Sequence, residues 1–140
     1  MVITYVVNPE LKKEELTNLY GSVGWLHANK PNILEKAIKN SDRVVAAYSK
    51  DELIGLSRAI SDQAITLYIT DILVHPAYQR KGVGTTLLQI LIEPYMGYQQ
   101  ILVSEPNAAG FYRTQKFILL DGSETASGSI AFMKPHTKLR

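Results

Sequence analysis

Two rhythms of apolar residues alternate along the chain. Residues 2–7, VITYVV, are β-branched and aromatic and stop at Asn8-Pro9. That pattern predicts a strand, then a helix capped by Asn8 with Pro9 in its first position. Leu11, Leu16, Leu19 and Tyr20 recur on roughly one helical face up to Gly21, and a second helix opens at Pro31 with Ile33, Leu34, Ala37 and Ile38 at the same spacing. Three strand-like runs follow, RVVAAY from 43, LIGLSRAI from 53 and AITLYITDILV from 64. Short polar turns at 49–52 and 61–63 separate them, so they read as an antiparallel meander. After His75-Pro76, Val83, Leu87, Leu88 and Leu91 line one side of a helix that Pro94 breaks. QILVS at 100–104 is the next strand and NAAGFYRTQ from 107 a short helix capped by Asn107; FILL from 117 and SIAFMK from 129 are the last strands. The order β-α-α-β-β-β-α-β-α-β-β predicts an α/β (α+β) fold: a mixed, mostly antiparallel central sheet flanked by about four helices.

Composition changes this picture little. A length of 140 residues, 46% hydrophobic and 20% charged, suits one domain over 1–140 with a single core. A net charge of +2 is too mild to point to nucleic acid and compatible with a small anionic ligand. There is no cysteine, which excludes disulfides, thiolate metal sites and a cysteine nucleophile. His27, His75 and His136 have no mutual ligand spacing, so no metal is expected. The N-terminus lacks a secretory pattern and no long apolar stretch occurs, so the expectation is a cytoplasmic protein with no membrane partner. DGSETASGS at 121–129 reads as a loop.

The chemistry concentrates in AYQRKGVGTTLL, 77–88. A helix start presents unpaired N–H groups and the positive end of the dipole, which favours phosphate. Gly82 and Gly84 allow close approach of the backbone, Arg80 and Lys81 add positive charge, and Thr85 offers a hydroxyl. The P-loop pattern fails, because no Gly lies five residues before Gly82 and no Lys follows it; a dinucleotide fingerprint needs a Gly where Leu87 stands. The plain alternative is a turn shaped by glycines with solvated cations.

DILVHPAYQRKGVGTTLL resembles the acetyl-coenzyme A motif of the GNAT acetyltransferase superfamily, with Gln79, Arg80, Lys81, Gly82, Val83 and Gly84 on the pattern. The element order is similar to the GNAT fold from residue 2 to about 134, and NAAGFYRTQKF resembles that superfamily's second signature. The resemblance implies that backbone N–H groups from Gln79 to Thr85 hold the coenzyme A pyrophosphate. It further implies that the backbone of Ile72, Leu73 and Val74 pairs with the pantetheine arm as an added strand. Asn107 falls where the family often contacts the cofactor, and Tyr112 where a general acid often faces the thiol. The family usually has Gly before the closing Phe, whereas this chain has Lys116 before Phe117, a departure that bears on the turn and on the placement of Tyr112.

For the amine, Asp71 stands on an otherwise apolar strand face with Leu67, Ile69 and Leu73 by simple alternation. Proton acceptance, ammonium binding and loop capping are all open to it, and a bulge would change its face. Glu105 is a weaker base candidate. Trp25 and His27, between the first two helices, lie where the family builds its acceptor pocket; Tyr68 and Tyr78 are pocket candidates that serve equally well as packing residues. GLSRA at 55–59 lies inside a strand and is no nucleophile elbow. The expected activity is direct transfer of acetyl from acetyl-coenzyme A to a primary amine, with a small-molecule acceptor and a homodimer as a possible assembly. The rivals are a coenzyme A-binding regulatory module without chemistry and a basic nucleic-acid-associated domain, the latter disfavoured because the cations do not cluster.

Overall fold

The computed structural model describes residues 2–104 and 106–118, in two units, Met1–Leu102 and Val103–Arg140. The first unit is a five-stranded sheet in the order β1-β2-β3-β4-β5, formed by β1 (Ile3–Val7), β2 (Arg43–Ser49), β3 (Glu52–Ser61), β4 (Thr66–Val74) and β5 (Gln99–Leu102). β1 to β4 are antiparallel neighbours, the meander expected from the two short turns. β5 pairs with β4 in parallel, as it must once helix α3 (Val83–Ile92) carries the chain back across the sheet. This is the mixed, mostly antiparallel sheet anticipated from the order of elements.

The sheet is covered on both faces. Helices α1 (Lys13–Ser22) and α2 (Pro31–Lys39) bury Leu16, Leu19, Tyr20, Leu34 and Ile38 against Val44, Ala46, Leu56 and Leu73. By strand alternation Val45, Ala47, Ala59, Leu67 and Ile69 turn to the other face, where α3 brings Val83, Leu87, Leu88 and Leu91. Ser57 is fully buried and its hydroxyl donates to the Leu87 carbonyl at 3.1 Å, a structural use of the serine in GLSRA. Arg43 caps the far end of α3, donating to the Ile90 carbonyl through Nε at 3.3 Å and Nη2 at 3.0 Å.

Two helix starts differ from expectation. Asn8 and Pro9 do not open α1, which begins at Lys13, where the Lys12 amide donates to the Glu15 carboxylate at 2.9 Å. Asn8 instead adopts φ 52° and continues the β1–β2 ladder: its amide donates to Val44 and its Oδ1 accepts from the Val44 amide at 2.8 Å. The side chain of Asn tolerates this left-handed backbone and supplies a carbonyl to a strand amide that needs one. In the second unit, helix α4 (Ala109–Thr114) follows a 3₁₀ turn at Pro106–Ala108, so Asn107 lies in that turn and Ala108, not Asn107, is the cap. The strand expected from 117 is not formed at Phe117 or Ile118; its remainder, the loop at 121–129, the strand from 129, His136 and Glu105 lie outside the described residues.

Lys116 resolves the departure from the family pattern. It follows α4 with φ 70°, the left-handed conformation a glycine would take there. The Phe117 amide donates to the Tyr112 carbonyl and the Lys116 amide to the Arg113 carbonyl, both at 3.0 Å. These are the paired bonds of a Schellman stop, and the Tyr112 and Phe117 rings meet edge-on at 6.1 Å across it. The glycine-type turn is kept with lysine in it.

Candidate active site

β4 carries an extra residue. Arg58 pairs with Asp71 and the next pair is Ala59 with Ile69, which leaves Thr70 bulged out; its hydroxyl donates to the Arg58 carbonyl at 3.2 Å. The bulge reverses the alternation. Asp71 therefore does not share a face with Leu67 and Ile69, as simple alternation implied; it stays with Leu73 but turns with it toward α1 and α2, while Leu67 and Ile69 face α3.

The bulge is also where β4 and β5 part. Their pairing runs from Thr66–Gln99 to Ile69–Leu102, and among the described residues no strand follows on that side of Thr70–Val74. The amide of His75 donates to the Ile54 carbonyl at 2.8 Å, which sets the phase of the β3–β4 ladder. By that phase the backbone groups of Asp71 and Leu73 bond to β3, and those of Ile72 and Val74 point to the open side. Of the three residues expected to line the cofactor arm, two thus present their amides there.

The loop beyond β4 leads to the helix start. Gln79 folds back so that its side-chain amide donates to the Val74 carbonyl at 3.0 Å. Arg80 and Gly82 both take left-handed backbones, φ 62° and 81°, on either side of Lys81. Alternations of this kind turn successive N–H groups into one concavity. The first bond within α3 runs from the Thr86 amide to the Gly82 carbonyl at 3.1 Å, so the amides of Val83, Gly84 and Thr85 precede it and project from the helix end. Thr86 rather than Thr85 spends its hydroxyl on Gly82, at 3.1 Å. Arg80 and Lys81 are exposed at the rim. An extended strand partner fits the open edge of β4 and an anion fits the adjoining helix start, which together match the long arm and the diphosphate of acetyl-CoA.

On the α1 side, Asp71 is held by two side chains the sequence did not single out. Its Oδ2 accepts from the Tyr20 hydroxyl at 2.7 Å and from Arg58 Nε at 2.5 Å. Arg58 Nη1 also donates to Ser41 Oγ at 3.3 Å. The paired side chains retain only 17% and 12% exposure. Burial, and then the Asp71 carboxylate it donates to, push the Tyr20 phenol well above its ordinary value, with Arg58 pulling the other way. Burial pulls the Arg58 guanidinium down, but the ion pair with Asp71 outweighs it and leaves the pKa raised. Trp25 stacks edge-on against Tyr20 at 5.7 Å, and Tyr68, partly exposed, shares the Asp71 face through its pairing with Ile60. Thus Trp25, Tyr68 and Asp71 lie on one side of the sheet. His27 sits half-buried in the 3₁₀ turn Leu26–Asn29 and is joined to none of them. Tyr78 packs edge-on against His75 at 5.9 Å. The signal that could have exposed Arg58 was a lone cation in the apolar run of β3, placed to meet the lone carboxylate of β4 across a hairpin.

In the second unit, Tyr112 lies in α4 between the rings of Phe111, at 5.0 Å, and Phe117. No cluster of metal-ligating side chains occurs among the described residues, and no helix there is long and apolar enough to cross a membrane.

Comparison with known proteins agrees with this geometry. Residues 8–137 match the family model described as an acetyltransferase (GNAT) domain. A protein from Pyropia yezoensis, named uncharacterized N-acetyltransferase ycf52, is 30% identical over 118 residues, which are 79% of this chain and 67% of that protein. A Glycine max protein named histone acetyltransferase TAP1 is 32% identical over 118 residues, 74% of this chain and 50% of that one. The chain thus spans between half and two thirds of the length of these relatives. A GNAT-family acetyltransferase structure from Streptococcus pneumoniae TIGR4 superposes with a TM-score of 0.79 at 28% identity, covering 96% of this chain and all of that one. With a family match over most of its length, and a sheet that opens beside a glycine-started helix, the chain belongs to the GNAT acetyltransferase family.

Proposed function

We propose that the protein transfers acetyl from acetyl-CoA to a primary amine by direct attack within a ternary complex, with a small molecule as acceptor. The observation that carries this reading is the junction of the open β4 edge with the unpaired amides at the start of α3. Acetyl-CoA supplies an activated thioester; the protein supplies the edge that lines up the arm and the helix end that holds the diphosphate. The acceptor nitrogen forms the new C–N bond as the C–S bond breaks, its proton leaves to water, and the thiolate takes a proton from the Tyr112 phenol. The absence of cysteine from the sequence favours direct attack over an acetyl-cysteine intermediate. Asp71, already bonded to Arg58 and Tyr20, is assigned to positioning and not to proton transfer.

The test is thiol release from acetyl-CoA across a panel of small amines, with a lysine peptide included because one relative is named a histone acetyltransferase. Amine-dependent release is expected, and Tyr112→Phe should lower kcat by about a hundredfold or more if the phenol is the acid. Acetyl-CoA binding with no release from any amine would favour the coenzyme A-binding module instead.

A further inference from the structure

The bulge in β4 decides which amides face the cofactor, and a bulge needs something to hold it. Without Thr70 as the extra residue, the strand could slip by one position and present Leu73 to the open side in place of Ile72 and Val74. Such a slip would also carry the Asp71 carboxylate to the opposite face, among Leu67, Ile69 and Leu87 and away from Arg58. An ionised carboxylate in that apolar layer is strongly disfavoured.

The two partners of Asp71 come from different elements. Arg58 lies directly across the ladder on β3, and Tyr20, fully buried, reaches down from α1. Arg58 is tied in turn to Ser41, whose hydroxyl donates to the Ala37 carbonyl at the end of α2. Two helices and two strands therefore converge on one carboxylate, one residue beyond the bulge.

We propose that Tyr20, Arg58 and Asp71 form a register lock: positioning residues that fix the Thr70 bulge and so keep the Ile72 and Val74 amides turned toward the cofactor arm. This rests on the acetyl-CoA reading above. The lock acts on donor binding and takes no part in proton transfer. Its removal weakens the hold on acetyl-CoA while leaving the pH dependence of turnover in place.

Two variants and calorimetry test it. Asp71→Asn removes the charge and keeps the shape; Tyr20→Phe removes one hydroxyl and leaves the ion pair. Wild-type protein must bind acetyl-CoA, and failure there overturns the proposed function rather than the lock. Given wild-type binding, Asp71→Asn is expected to raise the acetyl-CoA Kd by about tenfold or more and Tyr20→Phe by a smaller factor, about threefold. Backbone NMR signals of Ile72 and Val74 should shift in both variants, and Asp71→Glu should recover part of the affinity. The kcat/KM pH profile of Asp71→Asn should keep its wild-type shape. Unchanged Kd in folded variants, or loss of the acidic limb of that profile, where a carboxylate base would be protonated, would overturn the proposal. If Asp71→Asn does not fold, Tyr20→Phe decides by itself: an unchanged Kd with unshifted Ile72 and Val74 signals contradicts the lock.

Discussion

Lys116 holds a backbone conformation that costs an L-residue about 1 kcal/mol relative to glycine. Lys116→Gly should therefore stabilise the protein by up to that amount, seen as a melting temperature higher by about 2–4 °C; an unchanged or lower value would show that the lysine side chain repays the strain. Tyr20 makes a second prediction at this scale. Its pKa is raised in the folded protein, so its contribution to stability is complete below the unfolded phenol pKa of about 10 and is lost as pH rises through the higher folded value. Denaturant melts from about pH 8 to 11 should show stability falling at the alkaline end, with a shallower fall in Tyr20→Phe. Of the candidate site residues, Arg80, Gly82 and Gly84 stood out in the sequence because the glycine pair sits before an apolar helical run within a stretch that resembles a family motif, and the structure places them at the start of α3. Tyr20 and Arg58 did not, since Tyr20 read as one more residue on the apolar face of the first helix and Arg58 as part of a strand run with no partner assigned.

Among the elements, most of the strands and helices followed from periodicity, because one-sided burial leaves a plain imprint of period two or 3.6. What escaped was the single extra residue in β4. Thr70 differs in no obvious way from its neighbours, and only the pairing with β3 shows that the alternation reverses there. The start of α1 escaped for a related reason: Asn8-Pro9 carries a helix-start pattern, but the Val44 amide claims the asparagine first. The packing of α3 on β3 gives a further prediction. A Cβ at Gly55 would lie 3.0 Å from Leu87 Cδ1, 3.3 Å from Val83 Cγ1 and 3.4 Å from Ala47 Cβ. Gly55→Val should overpack this contact, lowering stability by about 1–3 kcal/mol in urea melts and, because Val83 begins α3, weakening acetyl-CoA binding as well. Wild-type stability and affinity would mean that α3 moves freely on the sheet. At the turn between β3 and β4, Asp62 Oδ1 accepts from the Ala64, Ile65 and Thr66 amides. Those bonds, led by the one from Thr66, lower its pKa. What it contributes is therefore present above the ordinary carboxylate range and lost only as pH falls through the lowered value.

At the largest scale, the first unit has layers of helix on both faces of one mixed sheet, and among the described residues that sheet opens on one side of β4, next to a helix start. Gly84→Asp sets a negative charge at that start. An acid in the first turn favours the helix itself, so the variant should fold normally while repelling a diphosphate. The most direct measurement is a thermal-shift titration of wild type and Gly84→Asp with acetyl-CoA, using ATP and NAD as controls. Acetyl-CoA at about a hundred times its Kd should add about 2.7 kcal/mol, a rise of several degrees. The expected result is that rise with acetyl-CoA, well above either control, and its loss in Gly84→Asp. No rise in the wild type, with no heat of binding by calorimetry, would mean that the glycines only shape a turn and would contradict the account.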